Sequence, residues 1–116
     1  MLKETKTISV LGTKVRIDFR KEQDDPKLKS CVGYYDGSAS KIVVKILEQD
    51  AMSMENLDGY QKEILRHEIF HAFLHESGVD GCSSSADNWA TNEEMVDWYA
   101  IQSPKIFKIF QELGVM

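Results

Sequence analysis

Two short stretches near the start of the chain alternate apolar and polar residues with a period of two. Thr7-Ile8-Ser9-Val10-Leu11 and Lys14-Val15-Arg16-Ile17-Asp18-Phe19 read as strands, with Gly12-Thr13 between them at hairpin distance. The polar run from Arg20 to Ser30, with Asp24-Asp25-Pro26 inside it, reads as a loop. Val32-Gly33-Tyr34-Tyr35 suits a short strand before a turn at Asp36-Gly37-Ser38, and the β-branched run Lys41–Leu47 suits another strand. The period then changes. From Leu57 to Ser77 there is no proline, and Gly78 is placed to stop a helix. Within it Ile69, Phe70 and Phe73 form an apolar side, while Ile64, His67, Glu68, His71 and His75 gather on the other. A Ser/Asp/Gly-rich loop from Gly78 to Ala90 leads to a second helix starting at Thr91. That helix is expected to end near Ser103, with Pro104 opening a third that runs to Leu113. Strands first and helices second is an α+β arrangement: a small twisted, mostly antiparallel sheet packed on a helix, followed by a C-terminal helical segment.

A chain of 116 residues has room for one modest core, so residues 1–116 are expected to form a single domain. The net charge of −5 and the lack of any basic run argue against a nucleic-acid partner. No apolar stretch is long enough for a bilayer, and Met1–Lys6 is too polar for a signal peptide, so the expectation is a cytoplasmic protein without a membrane partner. Cys31 and Cys82 are far apart and in no CxxC arrangement; two reduced thiols fit that better than a disulfide or a zinc site. Trp89, Trp98, Tyr99, Phe107 and Phe110 are most simply core or helix-packing residues.

Chemistry enters at His67-Glu68-Ile69-Phe70-His71, an HExxH pattern that uses two of the three histidines in the chain. Residues four apart share one face of a helix, so both imidazoles can reach one metal ion, with Glu68 at the edge of that face. A zinc hydrolase needs this set: two neutral nitrogen ligands and a general base for a water. A polar helix face that binds nothing is the bland alternative, and the glutamate between the histidines weighs against it. A catalytic zinc commonly takes a third protein ligand. Glu93, Glu94 and His75 are the candidates. Thr91 and Glu94 have capping-box spacing, which would occupy Glu94 and favour Glu93 as the ligand. Asp97, four residues after Glu93, would share its face and could accept the second ring N–H of a ligating histidine. For His75, near the helix end, a favourable interaction with the helix dipole is the simpler role.

HExxH followed by Asn92-Glu93-Glu94-Met95-Val96-Asp97 resembles the gluzincin pattern of zinc metallopeptidases. The strand-rich first half and the segment ending in Tyr99-Ala100 look most like the small ImmA/IrrE-type metallopeptidases of bacteria, phages and mobile elements, over roughly residues 30–104. The resemblance implies Zn²⁺ held by His67, His71 and Glu93, Glu68 as general base, and hydrolysis of a peptide bond in a specific intracellular protein. It also implies that the strand before the motif helix, Lys41–Leu47, pairs with extended substrate. Tyr60, His75 and Tyr99 are candidates to stabilise the oxyanion. A catalytically weak metal-binding module that regulates or binds a protein is the competing function. A fourth position closed by His75 rather than by water would favour it.

Overall fold

The first two strands, β1 (Lys6–Val10) and β2 (Thr13–Arg20), form a hairpin closed by Val10 opposite Thr13. The two-residue loop is therefore Leu11-Gly12, one position earlier than the alternation suggests. Both loop residues have positive φ, 50° and 89°, the geometry of the hairpin turn that follows the natural strand twist. The computed structural model describes residues 4–48, 55–78 and 92–113. After β2 come two short 3-10 turns, Glu22–Asp24 and Pro26–Lys29, then β3 (Gly33–Asp36) and β4 (Lys41–Lys45). Helix α1 spans Leu57–Glu76 and helix α2 spans Glu93–Glu112.

The fold is α+β: a four-stranded mixed sheet in the order β1-β2-β4-β3, packed against two helices. β1 and β3 pair antiparallel with their neighbours, whereas β2 and β4 run parallel. That order overturns the expectation that the Lys41–Leu47 strand offers an edge to substrate. β4 is enclosed by β2 and β3, so its backbone groups are already paired, and among the described residues the free edge beside it belongs to β3.

Register decides what each face carries. The rows Ile17–Ile42–Tyr35 and Phe19–Val44–Gly33 belong to one face. Ile17, Ile42 and Val44 from these rows join Val10, Val15, Ile64 and Ala72 in one buried cluster, which places α1 on this face. The intervening row, Asp18–Val43–Tyr34, faces the other way. Val10, Val15, Leu28, Ile42, Val43 and Val44 are wholly buried, each worth roughly 1.5–3 kcal/mol relative to exposure.

On the second face, charge rather than oil ties the 3-10 segment down. Asp18 accepts from Arg16 Nε at 2.7 Å and from Arg20 Nη2 at 2.9 Å. Arg20 Nη1 and the Tyr34 hydroxyl both donate to Asp25 Oδ2, and Asp25 also caps the second 3-10 turn through the Lys27 amide. Burial alone would raise the Asp18 carboxyl; the hydrogen bonds from the two arginines outweigh it and hold the group below its ordinary value. For Asp25 the Tyr34 hydrogen bond is the main cause of a lowered value, and burial with that bond pushes Tyr34 up to about 12.

Helix α1 lies between the sheet and α2, so it has two packed sides. Its buried residues are Gln61, Ile64, Glu68 and Ala72, which corrects the expected apolar side. Ile69 does pack on the core cluster, but Phe73 is exposed, and Phe70 meets the Tyr99 ring of α2 at 5.5 Å. The Gln61 amide reaches the Lys45 carbonyl at 2.8 Å, joining α1 to the end of β4. The helix stops where expected, with Gly78 at φ 82° and its amide bonded to the His75 carbonyl.

Helix α2 departs from expectation at both its start and its middle. Its N-cap is Asn92, whose side chain accepts from the Met95 amide at 3.0 Å; Thr91 lies outside the described residues. With Asn92 as cap, the capping-box position falls on Met95 rather than on Glu94. Pro104 lies inside the continuous helix rather than at a break. Proline cannot donate to the carbonyl four residues back, and Arg66 Nε from α1 donates to that carbonyl, Ala100 O, instead. Trp98 and Phe107 are exposed rather than core; Trp89 and the Phe110 side chain lie outside the described residues.

Candidate metal centre

On α1 the four-residue spacing does what helix geometry requires. His67 and His71 present Nε2 atoms 3.1 Å apart, and the possible ligand atoms of His67, Glu68 and His71 all lie within 4.8 Å of one another. The start of α2 completes the group from across the helix pair. One Glu93 oxygen is 2.9 Å from His67 Nε2, and its other oxygen is 3.2 Å from His71 Nε2. Asp97, one turn along the same helix, approaches His67 Nδ1 at 2.6 Å. The structure thus brings together His67, Glu68, His71, Glu93 and Asp97.

The hydrogen bonds constrain what these atoms can hold. A carboxylate only accepts, so the Asp97 contact calls for a proton on His67 Nδ1. In the neutral ring, Nε2 then turns a lone pair toward another imidazole nitrogen and a carboxylate. Such a convergence of acceptors is resolved by a cation or a shared proton. The three tips are separated by 2.9–3.2 Å. A tetrahedral ion with bonds of ~2.0–2.1 Å needs ligands ~3.3 Å apart. The donor set fits a metal ion with little rearrangement.

Burial distinguishes the members. The side chains of His67 and His71 are 15% and 20% exposed, and Glu93 and Asp97 lie on the open side. Glu68 is only 6% exposed. Burial pushes its carboxyl up to about 7; His67 opposes the rise, and the Glu93 and Asp97 charges add to it. Burial likewise lowers His71, against the pull of Glu93. Beside Glu68, α1 comes close to β3 because Gly33 has no side chain. A Cβ there would meet Ile64 Cγ2 at 2.8 Å, the Val43 carbonyl at 3.2 Å and Glu68 Oε2 at 3.5 Å.

These groups line an open cleft of about 690 Å³ between α1, the first turn of α2 and the β3 edge. Its walls also hold Tyr60, Glu63, and the stretch from Cys31 to Tyr35. Tyr60 is therefore placed to meet a ligand. His75 and Tyr99 are not: His75 packs against the Tyr35 ring at 5.6 Å and close to Gly37, and Tyr99 packs on Phe70. Two cleft residues escaped the reading of the sequence. Glu63 had a usable signal, being one turn before His67 on the same helix. Gly33 had none, because its role comes from a close approach of strand to helix.

No helix among the described residues is long and apolar enough to cross a membrane. No family model matches the chain, and neither does any curated protein or solved structure compared with it. The geometry itself carries an HExxH-type His–Glu–His group, able to hold a metal ion, on a helix of an α+β fold.

Proposed function

We propose that this protein is a zinc-dependent peptide hydrolase of the gluzincin type, most similar to the ImmA/IrrE-like metallopeptidases, acting on a specific protein partner. The observation that carries the reading is the convergence of His67 Nε2, His71 Nε2 and the Glu93 carboxylate beside a buried carboxyl, Glu68, at the wall of a cleft. Two histidines and a glutamate are the ligand set of a catalytic zinc that leaves one position for a small molecule.

A zinc ion there would supply Lewis acidity toward a carbonyl oxygen and lower the pKa of a water. The chain's own residues do the rest. Asp97 orients His67 through the Nδ1 hydrogen bond. Glu68, with its pKa near the working range, takes a proton from the attacking water and passes it to the leaving nitrogen. Tyr60 offers a cleft hydroxyl to the developing oxyanion. The free edge of β3, which forms the wall opposite α1, would pair with an extended peptide.

A metal-holding interaction module is the second reading, and the exposed Trp98, Ile101 and Ile109 of α2 favour it as a surface for another protein. Glu68 argues for the enzyme, because a structural site has no use for an unpaired buried carboxyl beside its ligands.

Metal analysis of purified protein and variants tests the assignment. One zinc per chain is expected, lost in His67→Ala, His71→Ala and Glu93→Ala and retained in Glu94→Ala and Glu68→Gln. Glu68→Gln is expected to lose at least ~10²-fold in peptide hydrolysis. Retention of zinc in Glu93→Ala would remove that residue from the ligand set, and equal cleavage by Glu68→Gln would remove the base.

A further inference from the structure

Three of the cleft carboxylates are engaged in the reading above: Glu93 with the histidine tips, Asp97 with His67, and Glu68 with the attacking water. The fourth, Glu63, is not. It is half-buried, lines the same cleft, and makes no hydrogen bond or ion pair among the described residues. The described residues lining the cleft include these four carboxylates and no lysine or arginine. Lys27 lies over the Tyr34 ring at 4.9 Å and is not part of the lining. A divalent cation at the histidines would offset only part of this negative charge and leave the remainder facing the ligand.

Glu68 adds to the same field: its carboxyl, 6% exposed, also lines the cleft. Tyr60, Glu63 and His67 follow one another at helical spacing along the wall of α1 that faces the β3 edge. The four residues from Glu63 to His67 rise about 6 Å, comparable to the reach of an extended lysine or arginine side chain. An aromatic ring then lies beside the aliphatic stem, and a carboxylate at the charged end.

We infer that the Tyr60–Glu63 wall selects substrates with a lysine or arginine beside the scissile bond, Glu63 receiving the cation. The inference rests on the zinc-peptidase reading of the same site and names its substrate class. An acidic side chain at that position would meet unscreened like charge, and a neutral one would leave Glu63 without a partner.

Short peptide hydroxamates test this by binding rather than turnover. Three otherwise identical compounds carry arginine, its neutral analogue citrulline, or glutamate next to the hydroxamate, in two series with the side chain on either side of it. Calorimetric titration into the zinc-loaded protein should show arginine tighter than citrulline by roughly 5- to 20-fold in one series, between an exposed ion pair and a desolvated one. Glutamate should be weakest. Glu63→Gln should abolish the arginine preference while leaving citrulline affinity within about twofold. Equal binding of arginine and citrulline in both series overturns the inference and leaves the metal reading standing, as does a preference that survives in Glu63→Gln. Failure of every hydroxamate to bind the zinc-loaded protein removes the zinc-peptidase reading, and the inference with it.

Discussion

Replacing Glu68 by glutamine should stabilise the metal-free protein at alkaline pH, although it removes the group proposed to drive catalysis. Glu68 is 6% exposed, and burial raises its carboxyl from 4.5 to about 7. The native state therefore binds the proton more tightly than the unfolded chain does. Stability is unaffected by this group well below pH 4.5, falls as pH rises from there to about 7, and stays low above it. At about 1.4 kcal/mol per pH unit the full penalty is on the order of 3 kcal/mol. Glutamine keeps the shape and carries no charge, so the variant escapes it. His71, lowered by burial, acts with the opposite sign, since stability from a depressed histidine is gained as pH rises through its range. Both proteins contain it, so the difference between them isolates Glu68. Urea unfolding followed by circular dichroism, with chelator present, should find the variant ahead by about 2–3 kcal/mol near pH 8.5 and by less than about 1 kcal/mol near pH 5. Saturating zinc should narrow the gap, because a cation beside Glu68 favours its charged form. A gap independent of pH would refute the burial argument, and one that widened toward acid would reverse its sign.

Gly33→Ala should lower stability by about 1–3 kcal/mol, since the new Cβ would meet Ile64 and the Val43 carbonyl at 2.8 and 3.2 Å and α1 must move away. A thermal melt that did not shift downward would show that the strand–helix approach is looser than described. Asp97→Asn should weaken zinc affinity by about 10- to 100-fold without abolishing it, measured by competition with a chromophoric chelator; unchanged affinity would mean that the 2.6 Å contact to His67 does not tune the ligand. Leu11→Asn should raise stability by about 0.5–1 kcal/mol, because leucine at φ 50° is strained where asparagine is tolerated. A lower melting temperature would show that the side chain, 61% exposed, contributes packing that outweighs the strain.

The elements were legible wherever a local pattern and the tertiary fold agree. Period-two alternation marked β1 and β2, and a proline-free run closed by Gly78 marked α1 almost to the residue. The pattern misled where a distant residue intervenes. Pro104 is a reasonable place to break a helix, and nothing near it in sequence says that Arg66 will take the orphaned Ala100 carbonyl. Strand order was hidden for the same reason. β3 and β4 are adjacent in the chain, but only the parallel pairing of β4 with β2 encloses the strand that the resemblance made the substrate edge. The face of α1 was misjudged because a helix packed on two sides has no single apolar stripe. Glu68 sits on its most buried line, where a rule that places charge outside would never look.

The candidate site shows the same division more sharply. His67, Glu68 and His71 lie on one helix, so spacing alone sets their mutual geometry and the sequence sufficed. Glu93 and Asp97 reach them from a second helix, and their agreement in register with α1 is a tertiary fact. Capping-box spacing from Thr91 favours Glu93 over Glu94, whereas the cap is Asn92. What turns Glu93 toward the histidines is the angular position shared with Asp97. With α2 buried against α1 through Val96 and Ala100, positions 93 and 97 both flank that seam on the cleft side. Glu94, 100° further round the helix, points elsewhere. The buried Val96 and Ala100 therefore matter to the candidate metal centre as much as the residues that would touch an ion, because they set the rotation of α2. A bulky residue at Ala100 would rotate or lift that helix, and would dismantle the site without altering any proposed ligand.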